Sequence, residues 1–110
     1  MIMKQLHHPS REDLVLSTVL YALSDPIRLA VVRDIRHSGE QACSSFTVPI
    51  AKSTLSHHLR TLREAGIVRT RIQGTQRFIS LRAEDLEARF PGVLSTILDS
   101  YEASEKEMHR

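Results

Sequence analysis

The residue types best suited to chemistry crowd into one stretch of this 110-residue chain. Lys52, Ser53, Thr54, Ser56, His57, His58, Arg60 and Glu64 supply cations, hydroxyls, imidazoles and a carboxylate. One chemistry that uses such a set is nucleophilic catalysis, with Ser56 as nucleophile and a histidine as base. Adjacent histidines on a helix project about 100° apart, however, and no glycine-rich oxyanion or phosphate loop accompanies them. The chain is therefore not expected to be an enzyme. The other chemistry is recognition of a polyanion. Short hydroxyl side chains let a helix start approach phosphates closely, while Lys52 or Arg60 can donate to phosphate or to a guanine edge.

Charge distribution favours the second chemistry. The net charge is only +2, yet residues 52–82 carry seven cations against the single carboxylate of Glu64. The preceding residues are neutral overall and the following ones are acidic. A basic block between neutral and acidic ones is a candidate footprint for nucleic acid; the plainer reading is a solvated basic face.

These side chains need elements to position them. Leu55, Leu59 and Leu62 share one helical face, which predicts a helix from Lys52 to Ala65, stopped by Gly66. Its outward face then holds Ser53, His57, Arg60, Thr61 and Glu64. Residues 67–73 alternate β-branched residues with Arg69 and Arg71, and residues 77–81 form a second strand. This predicts a hairpin whose tip spans Gln73, Gly74, Thr75 and Gln76, next to Arg77. Upstream, a helix is expected from Glu12 to Leu23, opened by Ser10 and Asp13, with apolar residues on more than one side. A second is expected from Asp25-Pro26 to Ser38-Gly39. Between Gln41 and Ile50 no period is visible, and only a short turn around Ser44 to Thr47 is expected. A last helical stripe runs from Leu86 to Tyr101, broken at Pro91-Gly92. Residues 1–10 and 104–110 are expected as flexible tails around a domain at 11–103. A polar helix followed at once by an arginine-studded hairpin is the layout of a winged helix-turn-helix. The fold class is accordingly mainly α with a small β-hairpin.

Ala22-Leu-Ser-Asp-Pro-Ile-Arg-Leu29, Lys52-Ser-Thr-Leu-Ser-His-His-Leu59 and Leu62-Arg-Glu-Ala-Gly-Ile-Val68, with the hairpin to Leu81, resemble the ArsR family of bacterial repressors. The resemblance covers roughly residues 12–100. It implies a winged-helix homodimer paired through its first and last helices, which represses transcription on double-stranded DNA and releases it when an effector binds. Carried over residue by residue, it makes Lys52, Ser53, Ser56 and His57 contacts to bases and phosphates. Together with the reading of charge and spacing, the candidate DNA-binding set is Lys52, Ser53, Thr54, Ser56, His57, Arg60, Arg69, Arg71, Gln73, Gly74, Thr75, Gln76 and Arg77. The expected operator is pseudo-palindromic, and the effector is not indicated. The chain departs from the family between Cys43 and Ala51, where a supporting helix is usual and Pro49 stands instead.

Metal-sensing relatives use paired cysteines, or an Asp/His/His/Glu set on the last helix. Here Cys43 is alone, and Asp99, Glu102 and Glu105 are joined only by His109. No metal or other cofactor is expected. Cys43 has two readings, a small packed thiol or a redox- or electrophile-responsive switch. A further alternative is a winged helix used only for protein contact, which predicts a neutral helix face and wing. One cysteine, no apolar run of membrane-spanning length and no signal-like start lead to an expected cytoplasmic location.

Overall fold

In the computed structural model, residues 6–108 are described. A 3-10 turn, Arg11–Asp13, precedes α1 (Leu16–Ala22), α2 (Pro26–Ser38), β1 (Gln41–Ala42) and a second 3-10 turn, Cys43–Ser45. Then come α3 (Lys52–Glu64), β2 (Val68–Gln73), β3 (Gln76–Leu81), α4 (Ala83–Arg89) and α5 (Val93–Met108). The three strands form an antiparallel sheet in the order β1-β3-β2.

The core lies where α2, α3 and α5 meet the base of the sheet. Val31, Val32 and Ile35 of α2, Leu59 and Leu62 of α3, Val68 and Ile79 of the sheet and Leu98 of α5 are buried together. Asp25 caps α2 by accepting the N–H groups of Ile27 and Arg28, with Pro26 at the first helical position. Ion pairs fasten the outer edge of α2 to α5. Arg33 bonds Glu105, while Arg36 bonds Asp99 and Glu102.

The first helix is shorter than its pattern predicts. Ser10 does bond Asp13, but that turn closes after three residues. Leu14 and Val15 are extended, because only an extended backbone drives Leu14 into the core, where it is 1% exposed. The long C-terminal pattern divides as Pro91-Gly92 predicts, into α4 and α5. The sequence boundaries at 10 and 103 do not mark the ends of ordered structure. Pro9 O accepts from buried Arg82, and α5 continues past 103, with Glu105 held by Arg33. The 3-10 turn at Cys43–Ser45 replaces the turn expected at Ser44 to Thr47, since Phe46 must turn inward. The strand β1 was not foreseen, because two residues carry no period to read.

The junction from α3 into the wing is a Schellman turn. The Gly66 N–H donates to Arg63 O and the Ile67 N–H to Leu62 O. Gly66 has φ +86°, and a Cβ at this position would collide with Leu14 Cδ2. Both the turn and the seat of Leu14 therefore require glycine. Gly66→Ala is expected to destabilise the fold by about 1–3 kcal/mol or more, from backbone strain and the displaced leucine together. Chemical denaturation of the two proteins measures this, and an unchanged midpoint would contradict the packing described.

Candidate nucleic-acid interface

The rotation of α3 about its own axis decides which residues reach solvent. Leu55, Leu59 and Leu62 are buried. Burying three leucines is worth about 1.5–3 kcal/mol each, far above the few tenths that the exposed Arg60–Glu64 pair contributes. The leucines therefore set the rotation, and Lys52, Ser53, Thr54, Ser56, His57, Arg60 and Glu64 are all exposed. Thr61 is half-buried, its hydroxyl bonded to His57 O.

The two histidines have different surroundings. His57 faces solvent, while His58 is turned inward and its Nδ1 accepts a 3.0 Å bond from Arg28 Nη1. An imidazole engaged in this way is not free to serve Ser56 as a base. Arg28 is itself buried on α2, donates to Ala22 O, and so ties the end of α1 to α3. Asp25 Oδ1 lies 4.0 Å from the same ring. Burial pushes the Asp25 pKa up, but its two backbone N–H bonds and the nearby Arg28 outweigh this and hold it below the usual range. Arg28 and His58 are positioning residues that sequence reasoning missed. A signal was present: Arg28 occupies the stripe of Val31, Val32 and Ile35, where a cation requires a partner.

Among the described residues no side chain caps the N-terminus of α3. Its leading N–H groups are thus left open to an outside acceptor such as phosphate, at the positive end of the helix dipole.

The wing is a six-residue pair of strands in which Gln73 faces Gln76 across a Gly74-Thr75 loop. Gly74 has φ +62° and no other residue type in the described chain has positive φ, as a type II′ turn requires. Gln73, Gly74, Thr75, Gln76 and Arg77 are all exposed. So is Ile72, one of the alternating β-branched residues, because the distal half of the hairpin projects beyond the core. The wing arginines are not equivalent. Arg71 bonds Glu40 at 2.8 Å and stacks over Phe78, and Arg69 lies 3.8 Å from Asp85. The Arg71 bond holds the Glu40 carboxyl below its usual pKa. Arg77 alone among these three has no acidic partner in the described residues. Asp85 is the hub beneath the wing, bonded to Arg11 and Arg82. The Arg11 bond, reinforced by Arg82, outweighs burial and lowers its pKa.

Cys43 is half-buried and lines a hollow with Leu55 and Ser56 of α3. No group of three or more His, Cys, Asp or Glu among the described residues is placed to hold a metal. His109 lies outside those residues.

A polar helix over a buried leucine stripe, joined by a tight turn to a basic hairpin, is the geometry of a winged helix-turn-helix. A family model for a helix-turn-helix domain matches residues 23–71. The chain is 36% identical over 89 residues to YceK of Bacillus subtilis (strain 168), an uncharacterised HTH-type transcriptional regulator, spanning 78% of this chain and 89% of that protein. It is 38% identical over 74 residues to the arsenical resistance operon repressor of Staphylococcus xylosus, 66% of this chain and 70% of that one. The chain belongs to the ArsR family of helix-turn-helix transcriptional regulators. Solved structures agree. A protein described as a possible transcriptional regulator for arsenical resistance superposes with TM-score 0.58 at 29% identity, over 82% of this chain and 97% of that one. An ArsR family transcriptional regulator shares the fold with TM-score 0.61 at 24% identity, over 84% and 93%. This ArsR-family chain is a DNA-binding regulator of transcription, mostly helical with a small antiparallel sheet. No helix in the described residues is long and apolar enough to cross a membrane.

The segment before the first turn covers the edge of the wing. His8 Nε2 accepts the Thr70 N–H at 3.0 Å, and Nδ1 bonds Leu6 O. A neutral ring protonated at Nδ1 makes both bonds and shields an edge-strand donor. Burial lowers the His8 pKa most; the Leu6 bond opposes this, and Arg63, Arg69 and Arg82 lower it further. Because the folded value lies below the ordinary 6.5, unfolding takes up a proton in the intervening window. The His8 contribution is thus complete above pH 6.5 and is lost as pH falls through the folded value. Comparing the unfolding midpoints of the parent and His8→Ala at pH 8 and pH 5 checks this. The difference is expected to shrink at pH 5, and an equal difference at both would contradict the bonding.

Proposed function

We propose that the protein is a cytoplasmic homodimeric repressor that sets two copies of α3 into successive major grooves of a pseudo-palindromic operator. The observation that carries this reading is the exposed, uncapped polar face of α3 beside Arg77 of the wing, which has no acidic partner among the described residues. A helix about 10–12 Å across fits a groove about 12 Å wide. Lys52, Ser53, Thr54 and Ser56 approach phosphates and base edges at the helix start, and His57 and Arg60 reach along the groove. Gln73, Gly74, Thr75, Gln76 and Arg77 meet the flanking backbone. Arg69 and Arg71 contribute less, because contact with phosphate must compete with Asp85 and Glu40.

The second copy is supported by α1. Val15, Leu16, Leu20 and Tyr21 are 41–67% exposed, an apolar face that water does not favour. Pairing through it, together with α5, sets the two α3 helices one helical turn of DNA apart, about 34 Å. Leu20→Glu is expected to shift the dimer to monomer in sedimentation and to weaken operator binding in parallel. A dimer that survives the change would refute pairing through α1.

Mobility-shift titrations against the protein's own upstream region, run across a salt series, test DNA recognition. Affinity is expected to fall steeply with salt. Arg77→Ala should weaken binding to all sequences and reduce the salt slope by about 1, with Arg71→Ala giving a smaller change. His57→Ala should cost about 1–3 kcal/mol on the operator alone. Equal losses for Arg71 and Arg77, or no sequence preference, would overturn the assignment.

A further inference from the structure

We propose that the hollow between the start of α3 and the wing tip binds a small apolar carboxylate, and that its occupant competes with DNA. The competition rests on the DNA-binding reading above; the site itself does not.

The hollow has a volume of about 510 Å³, within the range of roughly 300–1,000 Å³ typical of small-ligand sites. Phe46, Val48, Ile50 and Leu55 supply its apolar lining, while Lys52 from α3 and Arg77 from β3 supply its cations. Among the described residues no carboxylate lines it, and neither cation has an acidic partner. These features select the ligand. An apolar body leaves water for the Phe46–Leu55 surface, and one anionic head group forms charge-assisted bonds to Lys52 or Arg77. A metal cation would meet repulsion and find no oxygen-rich ligand set. A neutral apolar molecule would leave the cations unanswered, so charge is part of the fit. The chain from Phe46 to Ala51 has no helix or strand, which lets the lining adapt to ligand shape.

Regulation follows from shared residues. Lys52, Ser56, Thr75, Gln76 and Arg77 all line the hollow and all belong to the proposed DNA surface. A carboxylate held by Lys52 or Arg77 neutralises a cation that phosphate would otherwise take. Ligand and DNA must then weaken each other by the same factor.

Amide NMR on the full chain tests the site without DNA, using phenylacetate as probe and 2-phenylethanol as its uncharged match. Saturable shifts confined to residues 42–56 and 75–77, with the alcohol at least tenfold weaker, are expected. Val48→Trp, which fills the hollow from outside the DNA set, should abolish these shifts while leaving operator affinity intact. No saturable shift at millimolar phenylacetate, or shifts centred on the apolar face of α1, would overturn the site. In mobility shifts, phenylacetate should release the operator and Val48→Trp should resist release. Simultaneous binding with no mutual effect would overturn the competition, whereas ligand binding by a chain that ignores DNA would uphold the site and refute only the DNA reading.

Discussion

The structure depends on the burial of Leu55, Leu59 and Leu62 against α2 and the sheet. That contact fixes the rotation of α3, and the rotation decides which residues can meet a groove. Arg28 adds a polar stop by reaching from α2 to His58, and its bond to Ala22 O ties the end of α1 to the same point. A hydrophobic contact is non-directional; the buried hydrogen bonds supply the directional part. The face left over is rich in hydroxyls and cations because the apolar residues have already been used.

The wing is placed by a second constraint, the Gly66 turn. Its positive φ and the close approach of Leu14 leave no room for a side chain, so the hairpin leaves α3 in one direction. Asp85 then gathers Arg11 and Arg82 under the hairpin, with Arg69 nearby, and Glu40 holds Arg71. The basic block of residues 52–82 is therefore not a uniform field. Part of it braces the fold; among the described residues Lys52, Arg63 and Arg77 have no acidic partner, and of these Lys52 and Arg77 are exposed, at the rim between helix and wing.

Much of this was legible in the sequence. The helix at Lys52, the Asp25-Pro26 start and the Gly74-Thr75 hairpin announce themselves through local signals: a leucine period, a cap and a two-residue turn. The features that were not legible depend on distant partners. Ser10 and Asp13 look like the start of a long helix, but Leu14 is drawn into the core and pulls the backbone straight. Nothing local to His8 points to Thr70, 62 residues away. Nor does the composition of Arg69 or Arg71 reveal that Asp85 and Glu40 will answer them. Charge was readable as a count but not as a set of pairs, which is why every wing arginine looked equally available.

The central claim is that α3 and the wing of two copies engage one face of a DNA duplex. Hydroxyl-radical footprinting of the parent protein on its own upstream region tests this most directly. The account predicts two protected half-sites centred about one helical turn apart, each with a flanking protection that Arg77→Ala removes while the central protection persists at higher protein concentration. A single protected site, or flanking protection indifferent to Arg77, would contradict it.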